Sequence, residues 1–160
     1  MGKDVIFLVA VSSQHEYLNK KHGGFKYFQY SIPSWKYWCE KNNVELFIYD
    51  TPGDPEHVMH KPTWQRWFDV FDELEKNNID YNKIGMIDGS TIIRWDTPNF
   101  FDLVDNGEVN GFKSLENLRW VNEGVSGYSD FFKKHHPDFT FDLTKYISCG
   151  WQIFDKEHKK

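Results

Sequence analysis

The sequence predicts an α/β fold in which a mostly parallel sheet carries helices on both faces. Apolar runs rich in β-branched residues alternate along the chain with longer amphipathic segments, a pattern typical of strands joined by crossover helices. The first run, residues 4–11, is almost continuously apolar, as expected for a strand buried on both faces. At 160 residues, the chain is predicted to form a single domain over 1–160.

The first half of the chain is punctuated by proline and glycine. Residues 25–42 form an aromatic segment that is predicted to be helical, with Ser31 and Pro33 beginning a fresh first turn. Residues 44–50 are the second predicted strand. The stretch 51–62 is dense in Pro and Gly and is predicted to be a loop.

The next helix has the clearest periodicity in the chain. It begins near Pro62, a residue that suits a first helical turn. Its apolar residues recur at i, i+3, i+4, i+7 and i+10, which predicts one buried stripe. The stripe consists of Trp64, Trp67, Phe68, Phe71 and Leu74.

The remaining elements follow from shorter patterns. The sequence predicts a strand over 83–88, a short helix around Phe100–Leu103, a strand within 108–114, a helix over 117–134 and a final strand over 145–155.

Composition limits the classes of partner and compartment. The net charge of −5 argues against nucleic acid as a partner, because a phosphate backbone selects basic surfaces. Cys39 and Cys149 lie far apart without metal-ligand spacing, which favours a reducing compartment. No apolar run approaches the length of a membrane span. The predicted location is therefore the cytoplasm.

The stretch "KIGMIDGSTIIRWD", residues 83–96, carries the strongest chemical signal. Its apolar strand ends on Asp88, and a carboxylate there is costly to desolvate unless a loop caps it or it faces a cleft. Ligands of open α/β sheets gather beyond the carboxyl ends of strands. The chain lacks both the GxGxxG and the GxxxxGK[ST] patterns of nucleotide-binding loops. The Asp-x-Asp-x-Thr motif of haloacid dehalogenase phosphatases is also absent, because Ser90 stands at its second acid.

Two stretches resemble motifs of glycosyltransferases of the Rossmann-like GT-A fold, family 8 and its relatives. "MIDGSTIIRWDTPNFFDL", residues 86–103, is similar to their apolar strand, Asp-x-Asp motif and Phe-rich helix. "YISCGWQIFDKEHK", residues 146–159, is similar to their return strand, with Gly150 at its glycine. The resemblance implies a hexosyltransferase-like enzyme. Such an enzyme moves a sugar from a UDP- or GDP-sugar to a glycan, protein or lipid acceptor.

The resemblance also implies a site. Asp88 stands at the first acid, where a divalent cation, Mn²⁺ or Mg²⁺, is expected. Ser90 replaces the second acid, and a hydroxyl is a far poorer metal ligand, so metal dependence stays open. Arg66 stands where the family directs a cation toward the acids or the diphosphate, the alternative being an exposed helix charge. The implied nucleotide-sugar site comprises Val11, Ser12, Ser13, Arg66, Asp88, Gly89, Ser90, Ser148 and Gly150.

Two other hypotheses remain beside the enzyme. The chain could be a non-catalytic nucleotide- or glycan-binding module with a degenerate metal site, or an α/β domain whose Asp88 is capped by loop amides. Family members place a third metal ligand and much of the acceptor site beyond the return strand. The chain is therefore expected to be the donor-binding part of a transferase, and no catalytic base is assigned.

Overall fold

The computed structural model describes residues 2–11, 26–50, 62–113, 118–142 and 146–159. These residues form a five-stranded sheet with helices, an α/β fold. The strands are β1 (Lys3–Val9), β2 (Glu45–Tyr49), β3 (Tyr81–Asp88), β4 (Asn110–Lys113) and β5 (Ile147–Asp155). The α-helices are α1 (Phe28–Asn42), α2 (Pro62–Lys76) and α3 (Leu118–His135), and two short 3₁₀ helices span Phe100–Leu103 and Lys156–His158.

The sheet is mixed, so the prediction of a mostly parallel sheet is wrong. The strand order is β2-β1-β3-β5-β4. Strand β1 runs parallel to both β2 and β3, whereas β5 runs antiparallel to β3. Apolar periodicity identifies a buried strand but carries no information on its direction. A helix between two strands likewise permits an antiparallel return when the strands do not form a crossover unit.

Helices pack on both faces of the sheet, as predicted. Successive side chains of β1 point to opposite faces and enter two separate cores. Phe7 belongs to one core together with Leu74 of α2. Ile6 belongs to the other core together with Trp38 of α1. Strand β1 is therefore the buried centre of the fold, as its continuous apolar run predicts.

Helix α1 begins earlier than the proline pattern predicts. It starts at Phe28 and keeps Pro33 within it, so a fresh first turn at Ser31 is a wrong prediction. The proline removes one helical hydrogen bond. The indole nitrogens of Trp35 and Trp38 donate to backbone carbonyl oxygens of Thr91 and Thr97 in the loop after β3. These two bonds connect the helix to that loop.

Helix α2 buries only part of the predicted stripe: Leu74 is buried and Phe71 packs against the core, as predicted. Trp67 is 36% exposed and Phe68 is 52% exposed. The buried residues are Arg66, Val70 and Leu74, spaced by one helical turn each. The side chain of Trp64 lies outside the described part. Because the guanidinium of Arg66 lies on the side of α2 that faces the sheet, a hydrophobicity pattern alone does not identify all of the buried residues.

The chain groups into two compact units. The first comprises residues Met1–Asn110 and Cys149–Lys160, and the second comprises Gly111–Ser148. The loop predicted over 51–62 lies outside the described residues except for Pro62, which begins α2. Within the described chain, no helix has the length and apolar character needed to cross a membrane.

Candidate functional site

Strand pairing places Asp88 at one edge of the sheet. Asp88 is the last residue of β3 and pairs with Val9, the last residue of the parallel strand β1. The amide of Gly89 donates to the Val9 carbonyl oxygen at 2.8 Å. Antiparallel β5 starts at the same edge, because its Trp151 pairs with Ile87. Asp88 and Gly89 therefore lie beside the carboxyl end of β1, the most buried strand.

The turn after Asp88 is built by its own polar groups. The amide and the hydroxyl of Ser90 donate to Oδ1 of Asp88 at 2.9 and 2.8 Å. The Thr91 hydroxyl donates to the Asp88 carbonyl oxygen at 2.7 Å. Short polar side chains commonly stabilise turns in this way. The interpretation of Asp88 as capped by its loop thus holds for one oxygen, Oδ1.

The other carboxylate oxygen of Asp88 faces the buried guanidinium of Arg66. Oδ2 lies 3.7 Å from Nη1 of Arg66, whose side chain is 5% exposed while that of Asp88 is 38% exposed. The interpretation of Arg66 as an exposed helix charge is therefore wrong. We call Arg66, Asp88, Gly89 and Ser90 the Asp88 corner.

The guanidinium of Arg66 is incompletely bonded. Its Nη2 donates to the carbonyl oxygen of Cys149 at 3.1 Å. Nη1 and Nε are buried and have no hydrogen-bond partner in the described part of the chain. Burial lowers the pKa of Arg66, and the charge of Asp88 opposes this effect. The side chain still remains protonated, because a guanidinium is too basic to lose its proton in a protein.

Two residues near the corner gave no useful signal in the sequence. Burial, and secondarily the charge of Asp88, raises the pKa of Tyr27, so this phenol lies within the field of that carboxylate. Cys149, whose carbonyl oxygen accepts from Arg66, is exposed. Tyr27 precedes α1 in an aromatic-rich segment, and a ring there is indistinguishable from a core residue by pattern.

The structure brings together part of the predicted site. Arg66, Asp88, Gly89 and Ser90 meet at the corner, and Gly150 lies one residue beyond the Ile87–Trp151 pair. Val11 follows β1 at the same edge and is half-buried. Ser12 and Ser13 lie outside the described residues. Ser148 is half-buried in β5 and belongs to the second compact unit.

The described oxygen donors do not fit a resident divalent cation. No group of three His, Cys, Asp or Glu side chains is placed to hold a metal ion among the described residues. Oδ1 of Asp88 already accepts two hydrogen bonds, and Oδ2 faces a guanidinium that would repel a cation. Mn²⁺ and Mg²⁺ prefer several oxygen ligands. A metal at Asp88 and Ser90 thus stays a prediction that this donor set does not favour.

A cavity of about 210 Å³ lies apart from the corner. It contains none of the predicted site residues, and its lining is mainly apolar. The lining residues are Trp67, Val70, Phe71, Val109, Phe154 and His158.

The chain shares its fold with a glycosyltransferase. A crystal structure of a glycosyltransferase involved in the glycosylation of the major capsid of PBCV-1 superposes with a TM-score of 0.55 at 10% sequence identity. The match covers 97% of this chain and 60% of that chain. No protein-family model matches the sequence, and no curated protein matches it. The predicted resemblance to glycosyltransferases is therefore confirmed at the level of fold.

Proposed function

We propose that this chain binds a nucleoside-diphosphate sugar at the Asp88 corner and serves the transfer of that sugar to an acceptor. The arrangement would be of GT-A type, related to family 8. One observation carries the proposal: Asp88 lies partly exposed at the carboxyl end of a central strand in a glycosyltransferase fold. Such strand ends are where α/β proteins bind their ligands.

The chemistry of the corner suits the two ends of a nucleoside diphosphate. The partly exposed carboxylate of Asp88 accepts hydrogen bonds from ribose hydroxyls. Negative charge develops on the diphosphate as the sugar leaves, and a fixed positive charge stabilises it. Arg66 supplies such a charge next to Asp88. The proposal keeps Val11, Ser12 and Ser13 as the residues predicted for the base and ribose, and Ser148 and Gly150 as those predicted for the donor sugar.

A non-catalytic binding module is the second candidate. The hydroxyl of Ser90 bonds to Asp88 where the family has a metal-binding acid. A module with this feature would retain nucleotide affinity and lack turnover.

Calorimetric titration with UDP and with GDP tests the binding step. We expect the native chain to bind one of them and Asp88→Asn to bind it at least about tenfold more weakly, because a charged hydrogen-bond acceptor is lost. Asp96→Asn is the matched control, since Asp96 is an acid of the same segment that pairs with the exposed Arg94. Unchanged affinity in Asp88→Asn contradicts the site.

Release of nucleoside diphosphate from UDP-glucose and GDP-mannose separates the two candidates. Glycosyltransferases commonly hydrolyse their donor slowly when water replaces the acceptor. Release that disappears in Asp88→Asn supports the enzyme. Tight binding without any release supports the binding module.

A further inference from the structure

Arg66 carries more hydrogen-bonding capacity than its surroundings use. A guanidinium presents five N–H donors in a rigid fork. Within the described part of the chain, Nη2 donates to the carbonyl oxygen of Cys149, while the buried Nη1 and Nε make no hydrogen bond. Buried donors are nearly always satisfied in folded proteins. The exceptions therefore indicate a group that binds there.

One of the unused donors, Nη1, lies beside Asp88. Nη1 lies 3.7 Å from Oδ2 of Asp88, which is too long for a hydrogen bond but close enough for strong attraction. The Asp88 carboxylate is 38% exposed, whereas the Arg66 side chain is 5% exposed. An anion that displaces the groups covering the guanidinium meets N–H donors that make no hydrogen bond to the described residues. Planar guanidinium groups match phosphate oxygens well.

Charge balance at the corner points the same way. A metal-dependent site requires enough carboxylates to hold a dication, but position 90 carries a hydroxyl that is already bonded to Asp88. The positive charge of the corner instead belongs to the Arg66 side chain of helix α2. This charge is present whether or not a metal ion is bound.

We propose that Arg66 takes the place of the divalent cation, so that the corner binds the diphosphate of the donor without metal. This inference rests on the proposed function. It assigns Asp88 to the ribose side and the two free nitrogens of Arg66 to the diphosphate oxygens.

Titration of the native chain with UDP, GDP and UMP in EDTA and again in Mn²⁺ tests the inference. We expect the affinity for the bound diphosphate to agree within about twofold between the two conditions. Binding that appears only with Mn²⁺ overturns the inference and leaves the proposed function standing. Absence of binding to both diphosphates in both conditions overturns the two together.

Variants of Arg66 test which group meets the diphosphate. Arg66→Met removes the charge at similar length, and we expect at least about a tenfold loss of diphosphate affinity in EDTA. The preference for the diphosphate over the monophosphate should disappear as well. If Arg66 had a purely structural role, its substitution would leave this preference unchanged. Arg94→Met, which removes an exposed guanidinium paired with Asp96, is the control and should keep both.

Arg66→Lys keeps the positive charge. It is a second test of the assignment in case the neutral variant Arg66→Met does not fold. We expect it to bind the diphosphate more weakly than the native chain and still without metal, because the charge remains and the fork is lost. A lysine variant with undiminished affinity, or a methionine variant that keeps its preference for the diphosphate, overturns the assignment of Arg66.

Discussion

A Cβ atom added to Gly89 would lie 2.5 Å from the carbonyl oxygen of Val9, the same oxygen that accepts the Gly89 amide hydrogen at 2.8 Å. It would also lie 2.7 Å from a ring carbon of Phe28. Both neighbours hold the turn tightly, and one of them is backbone. The glycine of the acid motif is therefore required by the close approach of β1 and by the aromatic ring that begins α1. Its role beside a ligand stays a prediction.

Gly89→Ala should destabilise the chain by about 1–3 kcal/mol, because an atom is forced into a packed backbone. Urea unfolding measures the change. Gly124→Ala is the matched control, since nothing lies within 4 Å of the added Cβ in α3. An exposed helical glycine should gain about 0.5–1 kcal/mol on this substitution. Equal effects at the two positions would contradict the packing argument.

Thr91 connects the acid turn to helix α1 through its hydroxyl. That hydroxyl donates to the Asp88 carbonyl oxygen and accepts from Nε1 of Trp35 at 3.2 Å. Thr91→Val keeps the shape and removes both bonds, so we expect a loss of about 1 kcal/mol in the free energy of unfolding. Thr97→Val is the control, because the Thr97 hydroxyl makes no hydrogen bond to the described residues. A loss of similar size at Thr97 would argue against the role of the Thr91 hydroxyl.

The order of elements was predictable because each depends on local patterns. The continuous apolar run over 4–11 predicts the buried strand β1, and the pattern over 83–88 predicts that β3 ends at Asp88. Asp88 at a strand end was likewise readable from residue types alone. Local patterns also place the short helix Phe100–Leu103 correctly.

The remaining features depend on tertiary contacts that a sequence pattern does not encode. The antiparallel direction of β5 is decided by its partner β3. Arg66 is buried and Phe68 exposed because the guanidinium meets Asp88 and the Cys149 carbonyl across the sheet edge. A hydrophobicity scale predicts the opposite, with Phe68 buried and Arg66 exposed. The Ser90 hydroxyl bonds to Asp88, a contact that a comparison with Asp-x-Asp motifs does not suggest.

Ser90→Asp should give the Asp88 corner an affinity for a divalent cation. The new carboxylate lies two residues from Asp88, so the two acids repel each other without a cation and share one when it is present. We expect Mn²⁺ to raise the melting temperature of this variant, by an amount equivalent to about 2.7 kcal/mol at a hundredfold excess over its dissociation constant. Ser90→Asn, similar in size and neutral, should not respond. A native chain that Mn²⁺ stabilises equally well would contradict the argument.

Asp155, the last residue of β5, accepts several hydrogen bonds. It lies far from Asp88 in the sequence. The residue is 6% exposed. Its Oδ2 accepts from the Gly107 amide at 2.5 Å, and its Oδ1 accepts from the Glu157 amide at 3.0 Å. Nδ1 of His158 lies 3.0 Å from the same Oδ1. The carboxylate thus fixes the loop before β4 and the 3₁₀ helix after β5.

The stability that Asp155 contributes should depend on pH. Burial alone would raise the pKa of Asp155, but the hydrogen bonds from Gly107, Glu157 and His158 outweigh it and hold the pKa below its ordinary value. A lowered pKa favours the folded state above the unfolded-state pKa of about 4, and this stability is lost as the pH falls through the folded-state pKa. We expect Asp155→Asn to cost about 1–3 kcal/mol at pH 7 and less at pH 3, as measured by urea unfolding at both values. Asp105→Asn, an exposed acid of the preceding loop, should change stability little at either pH, and a pH-independent loss in Asp155→Asn would show that its charge is not what the three partners recognise.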